Sequence, residues 1–237
     1  MAMRPSKLAS LALVSILLLP LASFTQEQQP QGPDREPPDV FKTAPHLYRL
    51  GDVEINAKAR TLSMPGKVNM QKGLVEVFAC TPRGKRHESV LVVDVDPIYL
   101  QLGLLLLGLS EGSNPSCPGE EPQPVGGMMD IWVEWQVEGQ KKVKRRAEEL
   151  IMDLRTDEPM QRTHWVFLGS MVYEGRFLAR DIGSLITTYH DATAIIENPH
   201  PSCKDDTLYE ANPDVVPPVG TPVKVTISPV TEERSNK

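Results

Sequence analysis

The sequence predicts an α+β domain, a mainly antiparallel β-sheet or sandwich with one buried central helix. Three observations carry this reading. Segments of period two recur, the clearest being Ile131-Trp132-Val133-Glu134-Trp135-Gln136-Val137, with Ile131, Val133, Trp135 and Val137 on one face and Glu134 and Gln136 on the other. One apolar stretch, Ile98 to Leu107, follows Asp96-Pro97 and stops at Gly108, which reads as an N-cap, a proline at the first helical position and a C-terminal glycine. That stretch is apolar nearly all round, as a helix buried on every side would be. Between the short strands stand Gly175, Gly183 and the pair His190-Asp191, which are turn residues.

Taken from the N-terminus, residues 1–25 read as a cleaved bacterial-type secretion signal. Arg4 and Lys7 precede an uncharged apolar run from Leu8 to Leu21, and the small residues Ala22, Ser23 and Thr25 follow. The run is too short to span a bilayer core of about 30 Å as a helix. Residues 26–46 are rich in Gln and Pro and read as a flexible linker. Residues 47–230 form the single domain, and 231–237 a polar, disordered tail.

Within the domain, Leu74 to Ala79 alternates as a strand, and Val90-Leu91-Val92-Val93 is a β-branched run suited to a central one. The helix from Asp96 to Leu107 follows; at about 16 Å it is half the length needed to cross a membrane. After the 131–137 strand, Glu138-Gly139 turns the chain back through Lys142-Val143-Lys144. Ala147 to Leu154 reads as one or two amphipathic helical turns. Residues 165–170, 176–179, 185–189 and 194–196 are further short strands, and Val223 to Ile227 is the last, ended by Pro229.

Charge excludes one class of function. Without residues 1–25 the chain loses Arg4 and Lys7 and no acid, so 25 Lys+Arg become 23 against 31 Asp+Glu and the net charge of −6 becomes −8. A nucleic-acid binder is expected to show a basic patch instead. No membrane span is expected in the mature chain.

The stretch Cys80-Thr81-Pro82-Arg83-Gly84-Lys85-Arg86-His87-Glu88-Ser89, followed by Leu104-Leu105-Leu106-Leu107-Gly108-Leu109, resembles the YdjY domain. So does Trp165-Val166-Phe167-Leu168-Gly169-Ser170, followed by Gly183 and Leu185-Ile186. The resemblance covers about residues 47–229. It implies an exported bacterial protein without an assigned activity. The ferredoxin-like features of some members do not carry over, because a cysteine-bound [4Fe–4S] cluster needs four closely spaced thiolates and this chain has three distant cysteines.

Four sets of residues are candidates for chemistry. Cys80, His87 and Glu88 are the candidate catalytic group, with Lys85 and Arg86 placed to favour a thiolate if the loop folds as a hairpin. The alternative is that Cys80 ends a strand as a small core residue. Arg83, Lys85, Arg86 and His87 are the candidate binding group, a basic loop in an acidic chain, suited to an anionic ligand or an acidic partner. Cys117 and Cys203, both in Pro-rich loops, are the expected disulfide of an exported chain. His190, Asp191, His200, Cys203, Asp205 and Asp206 match no metal-site spacing, so no metal and no cofactor are expected. The residues thus favour a non-catalytic ligand- or partner-binding domain over a thiol- or His/Glu-dependent enzyme.

Overall fold

The computed structural model describes residues 40–113, 125–137, 139 and 141–230. The signal segment, the polar tail and Cys117 lie outside the described residues. The elements in chain order are β1 Val40–Ala44, β2 Leu47–Leu50, β3 Val53–Asn56, β4 Thr61–Val68, β5 Val77–Cys80, β6 Ser89–Val92, helix α1 Pro97–Leu106, β7 Gly127–Trp135, β8 Val143–Arg146 and β9 Ile151–Asp153. There follow β10 Glu158–Pro159, β11 Trp165–Phe167, β12 Val172–Tyr173, β13 Arg176–Phe177, helix α2 Leu178–Ile182, β14 Ser184–Thr187, β15 Ile196–Glu197, β16 Tyr209–Ala211 and β17 Pro222–Pro229. Strand β1 falls within the stretch read as a linker, with Val40 and Phe41 exposed.

These strands do not form an open sheet or a sandwich. The pairing runs β4-β17-β7-β11-β15-β14-β5-β6 and returns to β4, a closed barrel of eight strands. The expected α+β sheet around a central helix is therefore corrected to a mostly β protein with a barrel at its centre and two short helices among the described residues. The closure comes from β4, which changes partner along its length. Its residues 61–63 pair with β3, and its residues 67 and 68 pair with β6. Pro65, which cannot donate to a ladder, falls in the gap between the two partners. Gly66 follows because a Cβ there would meet the Val92 carbonyl and the Val93 side chain, each at 3.1 Å. On its other edge β4 pairs with β17, which β7 covers in turn.

Register fixes what the barrel holds. Leu62 stands opposite Ile227 and Ile227 opposite Ile131; Met64 opposite Val225 and Val225 opposite Val133. All six are buried in one core with Met129, Trp165 and Phe167. The Phe78 and Trp165 rings pack with centroids 5.9 Å apart. Eight strands enclose an interior that side chains just fill. Here buried side chains occupy it.

Helix α1 begins as expected. The Asp96 side chain accepts the Ile98 N–H at 3.2 Å, Pro97 occupies the first turn, and Gly108 ends the turn at φ +82. Its buried residues are Pro97, Leu100, Gly103 and Leu104. A Cβ on Gly103 would come 2.4 Å from Leu62 Cδ1 and 3.5 Å from Ile55 Cδ1, so the helix packs on the face of β3 and β4 that carries those side chains. Leu105 and Leu106 are 41% and 59% exposed. The helix is buried on one face rather than all round, and its outward leucines are ordinary surface apolar residues. The 147–154 stretch is a single 3-10 turn, Ala147–Leu150, that leads into β9. No helix among the described residues is long and apolar enough to cross a membrane.

Candidate functional site

The loop that follows Cys80 is shaped by the direction of its strands. β5 and β6 run parallel, with Val77 opposite Ser89 and Cys80 opposite Val92. A hairpin tip cannot join parallel strands, so residues 81–88 travel back along the sheet. They pass over Cys80. A Cβ on Gly84 would sit 2.8 Å from Cys80 Cβ and 2.7 Å from the Gly183 carbonyl oxygen, so only glycine fits there. The Thr81 amide donates to Gly183 O at 2.8 Å and the Val93 amide to Cys80 O at 2.9 Å. A second connection of the same kind, 188–195, joins the parallel strands β14 and β15.

This path separates the residues that the sequence groups together. Cys80 is buried with Val77 and Val92. Burial raises its thiol pKa, against the opposing effects of a hydrogen bond with Ser89 and of the nearby Arg86 charge. The His87 side chain is 80% exposed and lies 3.5 Å from Glu88 Oε2. Lys85 reaches Glu88 Oε1 at 3.0 Å and Glu76 Oε2 at 3.1 Å. Burial works against its charge, but the two carboxylates outweigh burial and raise its pKa. Arg86 donates to Asn69 Oδ1 at 3.3 Å, and the Asn69 amide in turn ties Arg86 O and Ser89 O. Of the four basic candidates, Arg83 is the one that lines a groove.

That groove, of about 370 Å³, is lined by Thr81, Arg83, Asp94, Asp96, Pro97 and Arg180, among others. It is larger than the two hollows on the outside of β2–β4, of about 250 and 210 Å³. Its walls are fixed. Arg180, on α2, holds Asp96 with two nitrogens, Nε at 3.0 Å from Oδ1 and Nη2 on Oδ2. Asp96 also caps α1, so the positive end of that helix and the Arg180 charge are both answered by one carboxylate. Two charges remain. Arg83 and Asp94 are exposed, line the same groove, and have no ion-pair or hydrogen-bond partner among the described residues. The Thr81 hydroxyl likewise makes no bond there, although Thr81 is 6% exposed. Asp94, Asp96 and Arg180 were not singled out as site residues from sequence. Arg180 lies 84 positions from Asp96, and no local pattern joins them.

Two polar clusters lie elsewhere; sequence reasoning missed the first, and in the second it weighed His190, Asp191, Cys203 and Asp205 but not Glu197. The guanidinium of buried Arg146 donates to Glu148 at 2.7 and 3.1 Å and to Thr163 O at 2.6 Å, and contacts Asp130 Oδ1 at 2.6 Å. His164 Nδ1 meets the same Asp130 oxygen at 2.7 Å. Burial opposes the Asp130 charge, but Arg146 and His164 outweigh it and hold its carboxyl below the usual range. Lys144 and Arg146 also cover the Trp132 ring at 4.8 and 5.4 Å. This network is closed on itself and reads as structural. The only early signal is Glu149, three residues after Arg146, whose side chain accepts the Arg146 amide.

In the second cluster, buried His190 and Glu197 meet at 3.0 Å, and the His190 amide donates to Cys203 O at 2.8 Å. Cys203 is buried and bridged to no cysteine among the described residues; burial and then the Glu197 charge push its thiol pKa up to about 11. Its expected disulfide partner, Cys117, lies outside the described residues. Asp191 and Asp205 accept bonds from Thr193 and Thr207 and so shape turns. Among the described residues no three His, Cys, Asp or Glu side chains are grouped to hold a metal ion.

No curated protein and no solved structure matches the chain. The family model of the YdjY domain matches residues 53–228, from β3 through β17, and so includes every residue of the groove. The chain belongs to the YdjY domain family.

Proposed function

We propose that this is a non-catalytic binding domain, working outside the cytoplasm once residues 1–25 are removed, which holds a small anionic ligand at Arg83. The observation that carries the reading is a guanidinium with no partner among the described residues, on the wall of a groove whose other cation, Arg180, is already neutralised by Asp96. Arginine without a carboxylate partner is suited to bind a carboxylate or phosphate with two donors. The groove falls in the size range of small-molecule sites. The thiol-enzyme reading has less support: Cys80 is buried beneath its own loop with a raised pKa, and its neighbour His87 points to solvent.

The test is a thermal-shift screen of the mature chain against small carboxylates and phosphates, run beside Arg83→Ala. At least one anion is expected to raise the melting temperature of the parent. Arg83→Ala is expected to melt with the parent when no anion is present and to lose that response, because an exposed arginine without partners contributes little to stability. A parent that answers no anion, or a variant that answers as the parent does, would remove the proposal.

A further inference from the structure

Resting on that reading, we infer that the ligand is a zwitterion, with its anionic group on Arg83 and its cationic group on Asp94. The inference begins from what the groove leaves unpaired. A guanidinium and a carboxylate, both exposed, line one space of about 370 Å³, yet no ion pair joins them. Each backbone is anchored to the barrel. Arg83 sits on the returning loop, pinned by the Thr81 amide on Gly183 O and by the Gly84 contact with Gly183. Asp94 sits at the end of β6, after the Val93 amide bonds Cys80 O and before Asp96 is clamped by Arg180.

An anion alone would satisfy Arg83 while resting near an uncompensated carboxylate, which repels it. A cation alone would meet the converse. A ligand that carries both charges satisfies both groups and suffers neither repulsion. Thr81 lines the same groove, and its hydroxyl, a possible donor or acceptor, has no partner among the described residues. Asp96 and Arg180, satisfied by each other, set the limits of the site and leave only one charge of each sign for the ligand. The chemical class is that of free amino acids and short unblocked peptides.

The experiment is isothermal titration of the mature chain with glycine, diglycine and triglycine, each also in its N-acetylated and C-amidated form. At least one zwitterion is expected to bind about ten-fold more tightly than both of its blocked forms, as expected when one charged hydrogen-bonding group is lost. Asp94→Asn is expected to bring that zwitterion and its N-acetylated form to equal affinity. Arg83→Gln is expected to abolish binding of both. If the N-acetylated form binds the parent as tightly as the zwitterion, and Arg83→Gln abolishes it, the zwitterion inference fails while the anion site stands. If none of the nine compounds binds the parent, the inference fails, and the anion screen above decides the fate of the broader reading.

Discussion

Leu104→Asp is expected to destabilise the domain by roughly 4–6 kcal/mol, the sum of a lost buried leucine and a carboxylate placed where nothing solvates it. Leu104 is fully buried in the main core, on the face of α1 that packs against β3 and β4. A loss of that size is comparable to the whole stability of many domains, so the variant is expected to be largely unfolded by circular dichroism in dilute urea. The matched control is Leu106→Asp on the outer face of the same helix. At an exposed position the change is expected to stay within about 0.5 kcal/mol of the parent. Equal losses at the two positions would mean that the helix is buried all round, against the orientation seen here.

Arg146→Ala is expected to cost about 3–5 kcal/mol, because it strands the buried Glu148 carboxylate rather than because an ion pair is itself strongly stabilising. Glu148 takes both of its arginine bonds from Arg146, and its remaining donor is the Thr163 amide. The double variant Arg146→Met with Glu148→Leu is expected to recover most of the loss, since it removes the stranded charge together with its partner. Urea titration of the two variants checks this. A double variant no more stable than Arg146→Ala would show that shape, rather than the unpaired charge, sets the cost.

Much of the strand content was legible because it depends on local alternation. Residues 131–135 face alternately inward and outward as their pattern requires, and 165–167 and 223–227 lie within strands of the barrel. The helix start was legible because Asp96 and Pro97 act through their immediate neighbours. The barrel was not. It depends on β4 leaving β3 for β6, and the residues that allow the change, Pro65 and Gly66, read locally as interruptions of a strand. The four strands before Val68 were missed for the same reason: Gly51, the 57–60 turn and Pro65-Gly66 break their periodicity.

The site shows the same division. The charged loop 81–89 stood out against an acidic chain, but its path follows from the parallel pairing of β5 with β6, which no local pattern announces. That pairing turns Lys85 toward Glu76 and Glu88, buries Cys80 and leaves Arg83 on the groove that Asp94 and Arg180 also line. Asp96 could be read as a cap from sequence. Its second role, neutralising Arg180, needed the contact between the helices.

We propose that the groove lined by Arg83 is where this domain meets its ligand. The most direct measurement is amide chemical-shift mapping by two-dimensional NMR, with the labelled mature chain titrated by a mixture of small acids, bases and zwitterions. The predicted result is a saturable set of shifts confined to the Thr81–Lys85 loop, the Asp94–Ile98 turn and the neighbourhood of Arg180. Saturable shifts centred elsewhere, or no saturable shifts at all, would contradict the account.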